Sequence, residues 1–138
     1  MTRLDLLLDR AVAVLPEHLR DHVAAFGSAP MVLAGLKPDV NDLDLFVSDA
    51  SFGELVAAGF VAHENQLGFL HIVLADDIEV FKTWPGVGFD EVHAKAAPVE
   101  GSRGLRVATL GHVLAFKLIT NREKDRADVE VLRRRIGG

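Results

Sequence analysis

Asn41-Asp42-Leu43-Asp44-Leu45-Phe46-Val47 is the stretch of sequence that decides how this chain folds. Its apolar character predicts a buried strand from Asp42 to Val47. Alternate residues of a strand point to the same face, so Asp42 and Asp44 would project together while the residues between and after them serve the core. Two carboxylates on one rigid edge form a hard-oxygen site that suits Mg²⁺ and, through it, a polyphosphate.

The composition indicates one folded domain. The chain has 138 residues, is 49% hydrophobic and has a formal net charge of -5. This size suits a single domain with a real core, and the acidic balance argues against a dedicated DNA-binding module. The sequence contains no cysteine, which excludes disulfides, thiolate zinc sites and thiol nucleophiles. No apolar run approaches ~20 residues, and Asp5 lies where a signal peptide has no acid, so we expect a cytoplasmic protein without a membrane span.

The predicted elements describe a mixed α/β domain of the α+β class, with a small sheet of about four or five strands flanked by helices. Residues 1–25 would form N-terminal helices, the second from Glu17 to Ala25 after Pro16. A short helix from Ala29 to Leu36 would begin at a Ser28 cap. The other predicted regions are a core with the acidic site (26–83), a loop-rich connection (84–108) and C-terminal helices (109–136).

Short β-type runs predict further strands. A hairpin is expected where Ala75-Asp76-Asp77 separates two of these runs. Strands are predicted at 60–63, 69–74, 78–81 and 105–107, and further helices at 52–58, 110–120 and 123–135.

Gly27 and Ser28, at the start of the predicted short helix, form a second candidate site. A helix N-terminus presents free N–H groups and partial positive charge, which together bind anions. Gly27 lets the backbone approach a ligand closely, and Ser28 adds a hydroxyl. A simple N-cap explains the same pair without a ligand, because Gly-Ser is a common dipeptide.

Glu79 is the candidate for a third carboxylate. It alternates with apolar neighbours in the run from Ile78 to Phe81, so it points away from the core face. If that strand lies beside the one that contains Asp44, Glu79 completes a cluster able to hold two Mg²⁺ ions. Asp77 competes for this role from two residues earlier, and an ordinary solvent-facing strand residue is the plain alternative.

A run of charged residues follows Lys117. Lys117 itself has apolar neighbours, and a lysine in such surroundings either extends its amine to water or binds phosphate. Arg122 and Lys124 add local positive charge, while Asp125 and Asp128 are three residues apart and share a helical face. A solvated helix with surface salt bridges explains the same pattern.

Together these motifs resemble the nucleotidyltransferase superfamily, which has the DNA polymerase β-like fold. The family pattern is Gly-Ser or Gly-Gly before a short helix, Asp-x-Asp on the next strand and a third acid on a later strand. Gly27-Ser28, Asp42-Leu43-Asp44 and Glu79 follow that order. The segments 116–118 (Phe-Lys-Leu) and 122–128 (Arg-Glu-Lys-Asp-Arg-Ala-Asp) are similar to the Lys-Leu helix and the Arg-x-Lys-Asp-x-x-Asp motif of abortive-infection and toxin-type members.

The resemblance spans residues 22–134 and implies the transfer of a nucleoside monophosphate from an NTP to a hydroxyl acceptor. It implies that Asp42, Asp44 and Glu79 bind Mg²⁺, or Mn²⁺ in its place. Glu79 would also activate the acceptor hydroxyl.

The same resemblance assigns roles to the phosphate-binding residues. Gly27 and Ser28 would hold the β- and γ-phosphates, and Lys117 would neutralise their charge. Asp125, or Asp128 in its place, would orient the substrate or Lys124, which completes the nucleotide-binding set.

The chain departs from the toxin-type pattern in three respects. Those relatives often have an arginine before Asp-x-Asp, where only Lys37 is available here. The third acid is glutamate rather than the commoner aspartate. Many relatives also have a longer C-terminal helical domain that holds the acceptor, so a partner protein or a second copy of this chain would complete the site.

The acceptor is open among RNA, a protein side chain and a small molecule such as an aminoglycoside. Two rival functions also remain open at this stage. One is a non-catalytic, antitoxin-like binding module of the same fold, and the other is a metal-dependent phosphohydrolase that uses the same acids.

Overall fold

A seven-stranded mixed sheet, flanked by helices, organises the chain in the computed structural model, which describes residues 2–66, 68–101 and 104–137. The α-helices within these ranges are α1 (Arg3–Val14), α2 (Ala29–Leu33), α3 (Asp49–Ala57), α4 (Phe89–Lys95), α5 (Leu110–Thr120) and α6 (Arg126–Gly137). Two 3₁₀ turns cover Glu17–Leu19 and Glu123–Asp125. The strands are β1 (Val23–Phe26), β2 (Leu43–Val47), β3 (Ala62–Glu64), β4 (Leu70–Ala75), β5 (Ile78–Phe81), β6 (Ala97–Pro98) and β7 (Arg106–Val107).

The strands follow the order β3-β4-β5-β2-β1-β7-β6 across the sheet. At its centre β1 and β2 run antiparallel, and this register places Phe26 opposite Asp44. On the other side of β2, β5 runs parallel to it and places Glu79 opposite Asp44. Two acids that are 35 positions apart in the chain are therefore neighbours on adjacent strands.

One face of the sheet, which we call the aliphatic face, is covered by α1 and α3. Its cluster consists almost wholly of Leu, Ile, Val and Ala side chains from these helices and from the strands. Leu43, Leu45 and Val47 of β2 belong to it and are at most 1% exposed. Thr2 begins α1 through a capping box with Asp5, whose backbone N–H donates to the Thr2 hydroxyl.

The opposite face, which we call the aromatic face, receives side chains from α2, α4, α5 and α6. Phe26 and Phe46 pack against Trp84 with ring centroids 5.2 and 5.1 Å apart, and Phe116 of α5 contacts Trp84 at 5.2 Å. Strand alternation places Asp44 on this face beside Phe46. No helix within the described ranges is long and apolar enough to cross a membrane.

The predicted helix from Glu17 to Ala25 is wrong. Only Glu17–Leu19 are helical there, as a 3₁₀ turn, and Val23–Phe26 form β1. All four residues of β1 are buried because the strand lies inside the sheet between β2 and β7. Burial on both faces overrides the helical preference of the alanines, so residues 1–25 are not helical throughout.

Other predicted boundaries also need correction. The sheet has seven strands rather than four or five, because the region 84–108, predicted as loop-rich, contributes β6 and β7 and also contains α4. β2 begins at Leu43 rather than Asp42, and α2 ends at Leu33 rather than Leu36. The mixed α+β class, the strand Ile78–Phe81 and its hairpin with β4 are confirmed.

Candidate active site

Asp44 lies on β2, in the middle of the sheet, and the alternation of side chains along this strand places it on the aromatic face. Gly27 follows β1, the neighbouring strand, with a φ of 68° that glycine adopts without strain. A Cβ built on Gly27 would lie 2.9 Å from Asp44 Oδ2, closer than carbon and oxygen atoms normally approach. The absence of a side chain at Gly27 therefore lets the turn after β1 pack directly against the Asp44 carboxylate.

Asp42 and Glu79 both raise the pKa of Asp44. Asp42 is exposed just before β2, and Glu79 is the β5 residue opposite Asp44. Burial above all, and then repulsion from Asp42 and Glu79, raises the pKa of Asp44 from 3.8 to about 7, although Arg122 and Lys124 oppose the shift. Asp44 is therefore a carboxyl group whose surroundings disfavour its negative charge.

These three acids have no cationic partner at contact distance. Within the described part of the chain, no salt bridge and no side-chain hydrogen bond involves the carboxylates of Asp42, Asp44 or Glu79. Carboxylate oxygens are the ligands that divalent cations such as Mg²⁺ prefer, and a cation would relieve the repulsion between the acids. The donor chemistry of the three residues thus fits a hard metal ion.

The three acids are nevertheless not assembled into one ligand set. Among residues 2–66, 68–101 and 104–137, no three His, Asp or Glu side chains gather closely enough to hold a metal ion. Asp42 and Asp44 line a common cavity, whereas Glu79 is not among its lining residues. The three-carboxylate metal site therefore stays a prediction.

That cavity, which we call the site cavity, has a volume of about 290 Å³ and lies between the Gly27 turn and the C-terminal segment. It brings together all the predicted site residues except Glu79, namely Gly27, Ser28, Asp42, Asp44, Lys117, Lys124 and Asp125. Lys37, Asn41, Arg122 and Asp128 complete the lining. Acids, cations and a glycine turn from distant parts of the sequence thus share one small polar space.

Lys117 is the centre of a buried ion-pair network in the wall of the site cavity. Its side chain is 6% exposed, and Nζ lies 3.1 Å from Asp125 Oδ1 and 3.2 Å from Asp128 Oδ2. Arg122 Nε donates a hydrogen bond of 2.7 Å to Asp125 Oδ2. Burial alone would raise the pKa of Asp125, but the hydrogen bonds and charges of Arg122 and Lys117 outweigh it and hold that pKa below its usual value.

The role predicted for Asp125 and Asp128 is only partly matched by their contacts. They bind Lys117 rather than Lys124, which is exposed at the edge of the cavity. The alternative of a solvated surface helix does not describe Lys117 and Asp125, because both are buried. The network instead fixes a lysine ammonium group at one position in the cavity wall.

Ser28 occupies the predicted N-cap position of α2 but does not cap the helix with its side chain. Its side chain makes no capping hydrogen bond, and its φ of -80° and ψ of -22° are already helical. The Ser28 hydroxyl instead accepts a hydrogen bond of 3.0 Å from Lys37 Nζ, which also lies 3.3 Å from Asp128 Oδ2. Ser28 is therefore joined to the ion-pair network through Lys37.

Asp77, the competitor for the third carboxylate, is engaged elsewhere. It occupies the hairpin turn with a φ of 63°, and its carboxylate accepts a hydrogen bond from Arg3 of α1. The Asp77 carbonyl accepts a hydrogen bond of 2.8 Å from the Leu43 backbone N–H. Of the two candidates, only Glu79 acts on Asp44, and Asp77 helps to attach α1 to the sheet.

Sequence reasoning gave no role to Lys37 or Asn41. Lys37 stood out only as the single cation available before Asp-x-Asp, and that position was its one signal. The partner of Lys37, Asp128, is 91 positions away in the chain, and nothing local in the sequence relates the two residues.

Comparison of the chain with protein-family models gives no match, and comparison with curated proteins gives none either. The resemblance to nucleotidyltransferases consequently rests on the sequence motifs.

Proposed function

We propose that this protein is a divalent-metal-dependent nucleotidyltransferase, which moves a nucleoside monophosphate from an NTP to a hydroxyl acceptor. The supporting observation is a contrast within one cavity. Asp42 and Asp44 have no cationic partner at contact distance there, while Lys37, Lys117 and Arg122 are already paired with Asp125 or Asp128. Unneutralised acids that face a glycine turn and a fixed lysine suit a polyphosphate together with its metal ion.

Asp42 and Asp44, with Glu79 from β5, are the residues that would hold Mg²⁺ or Mn²⁺. A bound ion would supply the positive charge that stabilises the triphosphate and the oxygens on which charge develops during transfer. The raised pKa of Asp44 fits this role. Its surroundings disfavour the charged carboxylate, and a cation bound beside it would stabilise that charge.

The remaining residues of the site cavity position the triphosphate. Gly27 brings the turn after β1 against the Asp44 carboxylate at the edge of the cavity, and the Ser28 hydroxyl offers a donor beside it. Lys117 is held in place by two carboxylates, so its charge needs no reorganisation when the substrate arrives. Lys124 is exposed at the rim and free to follow the β- and γ-phosphates.

The proposed chemistry is an in-line displacement at the α-phosphorus. The oxygen of the acceptor hydroxyl forms a bond to the α-phosphorus, and the bond from that phosphorus to the bridging oxygen breaks, so pyrophosphate leaves. Glu79 accepts the proton of the hydroxyl. Most of the rate enhancement would come from positioning and electrostatic stabilisation.

Transfer of label from α-³²P-labelled NTPs tests the proposal directly. The protein is incubated with each NTP, Mg²⁺ and a cell extract that is then separated into RNA, protein and small-molecule fractions. We expect label in one fraction, and a loss of about 10²–10⁴-fold for Asp44→Asn. Asp9→Asn, an exposed acid on α1, is the matched control and should transfer at the wild-type rate.

A non-catalytic binding module of the same fold is the second candidate, favoured by the absence of an assembled three-carboxylate group in the described residues. It predicts no label in any fraction, with or without NTP binding. Release of phosphate from NTPs without a labelled acceptor would instead indicate a phosphohydrolase.

A further inference from the structure

A second cavity, which we call the arginine cleft, lies beside the site cavity between α5 and α6 and has a volume of about 490 Å³. Lys117 and Arg122 line both spaces, so the two cavities share a wall. A molecule bound in the arginine cleft would reach the edge of the site where the nucleotide is proposed to bind.

Cations and apolar side chains alternate along the arginine cleft. Arg126, Val129, Glu130 and Arg133 lie on one face of α6, because positions i, i+3, i+4 and i+7 of a helix point the same way. Leu118 of α5, 43% exposed, faces them from the other wall. The set also contains one acid, Glu130, which accepts a hydrogen bond of 2.5 Å from Arg134 on the same helix.

The cleft lies in a positively charged region of an acidic protein. Of the fifteen Lys and Arg residues in the chain, seven fall between positions 117 and 135, together with only four of the twenty Asp and Glu residues. A protein with a net charge of -5 repels polyanions as a whole, so a local excess of cations beside the site indicates where a polyanion binds.

On the basis of the proposed function, we propose that the arginine cleft binds the acceptor and that this acceptor is a single-stranded polynucleotide. Arginine pairs with phosphate through two parallel N–H donors, and the apolar walls formed by Leu118 and Val129 suit the faces of bases. A cationic acceptor such as an aminoglycoside would meet three guanidinium groups and be repelled. A terminal nucleoside of the bound strand would present its hydroxyl to the neighbouring site cavity.

Fluorescence anisotropy of labelled oligonucleotides tests this assignment without NTP or metal, so its result does not depend on catalysis. The probes are RNA and DNA strands of about ten nucleotides, within the range that single-strand sites cover. We expect log affinity to fall with log salt at a slope of about -0.7 per phosphate contact, and thus near -2 for three arginines. The stronger of the two probes identifies the type of strand.

Double variants distinguish binding by the arginine cleft from attraction by net charge. Arg126→Ala/Arg133→Ala should weaken binding at least tenfold and reduce the magnitude of the slope by about 1.4, whereas Arg126→Lys/Arg133→Lys should keep most of the slope. Arg10→Ala/Lys95→Ala removes the same charge from exposed positions elsewhere and should bind like the wild type. All four positions are exposed, so circular dichroism should show folded proteins.

Two results would overturn the assignment. One is equal weakening by both alanine pairs, which would mean that net charge alone attracts the strand. The other is the absence of oligonucleotide binding together with label transferred to a protein or small molecule, which would leave the transferase proposal standing. Binding that requires the two arginines, without any transfer, would support the cleft and contradict the transferase.

Discussion

The aliphatic face and the aromatic face of the sheet share the strand β2 but bury different groups. On the aliphatic face, Leu43 and Leu45 lie in a cluster that contains no charged side chain. On the aromatic face, Asp44 borders a cavity in which a lysine and two aspartates are drawn into ion pairs. One strand thus separates a dry core from a polar cavity by alternation alone.

The difference shows which interactions hold the fold and which prepare the site. Burial of apolar surface stabilises the fold by roughly 25 cal/mol per Å², and this interaction is not directional. The polar side satisfies Asp125 and Asp128 but leaves Asp42, Asp44 and Glu79 uncompensated. The desolvated Asp44 beside this satisfied network is a cost to stability, and a bound cation would relieve that cost.

Truncation on the aliphatic face should have the largest effect on stability. Leu45 is fully buried in a central strand, so Leu45→Ala should lower the free energy of unfolding by about 4 kcal/mol, towards the upper end for such cavities. Urea unfolding measures the change. Val73→Ala, at a position 49% exposed, is the control and should change stability by less than about 1 kcal/mol. Similar losses for both variants would contradict a tightly packed aliphatic core.

Breaking the ion-pair network should have the next largest effect. Lys117→Met leaves the buried Asp125 with Arg122 and the partly buried Asp128 with Lys37 as their remaining cationic partners, so we expect a loss of about 3 kcal/mol in urea unfolding. Arg134→Ala breaks an exposed pair with Glu130 and should cost about 0.5 kcal/mol or less. A loss below about 1 kcal/mol for Lys117→Met would mean that the network adds little to the fold.

Neutralising Asp44 should stabilise the protein in a pH-dependent way. Its pKa is about 7 in the folded state and near 3.8 when unfolded, so between these values the folded state holds a proton that the unfolded chain has lost. The free energy of unfolding therefore falls as pH rises through this window. Asp44→Asn removes that decline and should gain about 2 kcal/mol at pH 8, after allowance for solvent in the cavity, and nothing below pH 4.

Urea unfolding at both pH values measures the gain, with Asp9→Asn as the control that should show none. If Asp44→Asn is more stable than the wild type at pH 8 but inactive in label transfer, Asp44 is needed for function and not for folding. Equal stability of Asp44→Asn and wild type at both pH values would contradict the raised pKa.

The smallest expected effect, about 1 kcal/mol beyond backbone strain, comes from filling the space beside Asp44. Gly27→Ala places a Cβ 2.9 Å from Asp44 Oδ2 at a φ of 68°, and should cost about 2 kcal/mol. Gly35→Ala has a similar φ of 78° but no atom within 4 Å of its Cβ, so it should show the backbone strain alone, about 1 kcal/mol. Equal losses, measured by urea unfolding, would mean that Asp44 moves aside freely.

The sequence predicts most accurately the elements that have clear boundaries. β2, β5 and α5 are mostly apolar runs bounded by turn residues or caps, and their predicted positions are nearly right. β1 was misread as helix because its Val-Ala-Ala-Phe run has no polar residue to reveal a period of two. α4 lies in a region rich in glycine and proline, which predicts a loop. The signals for the helix are weaker: Gly88 and Asp90 mark its start, and Lys95 marks its end.

The candidate site could be predicted as a set of residues but not as a set of contacts. The pairing of Asp42 with Asp44 follows from their spacing, whereas the closeness of Glu79 to Asp44 depends on a parallel strand pairing that the sequence only suggests. The partners of Lys117, eight and eleven positions further along the chain, are close enough in sequence to be predicted. The burial of Lys117 is not predictable from the sequence. The link from Ser28 through Lys37 to Asp128 depends on tertiary packing of α6, for which no local pattern exists.

The bond between Lys37 and Asp128 has a consequence for the order of events during synthesis. A ribosome that has made β1, β2 and β5 has produced the acids and the glycine turn, but not the segment that encloses them. A nascent chain of that length would hold a sheet with an open acidic rim and little affinity for a triphosphate. On the proposed function, triphosphate binding would then begin only once α6 has docked, so incomplete chains would stay inactive.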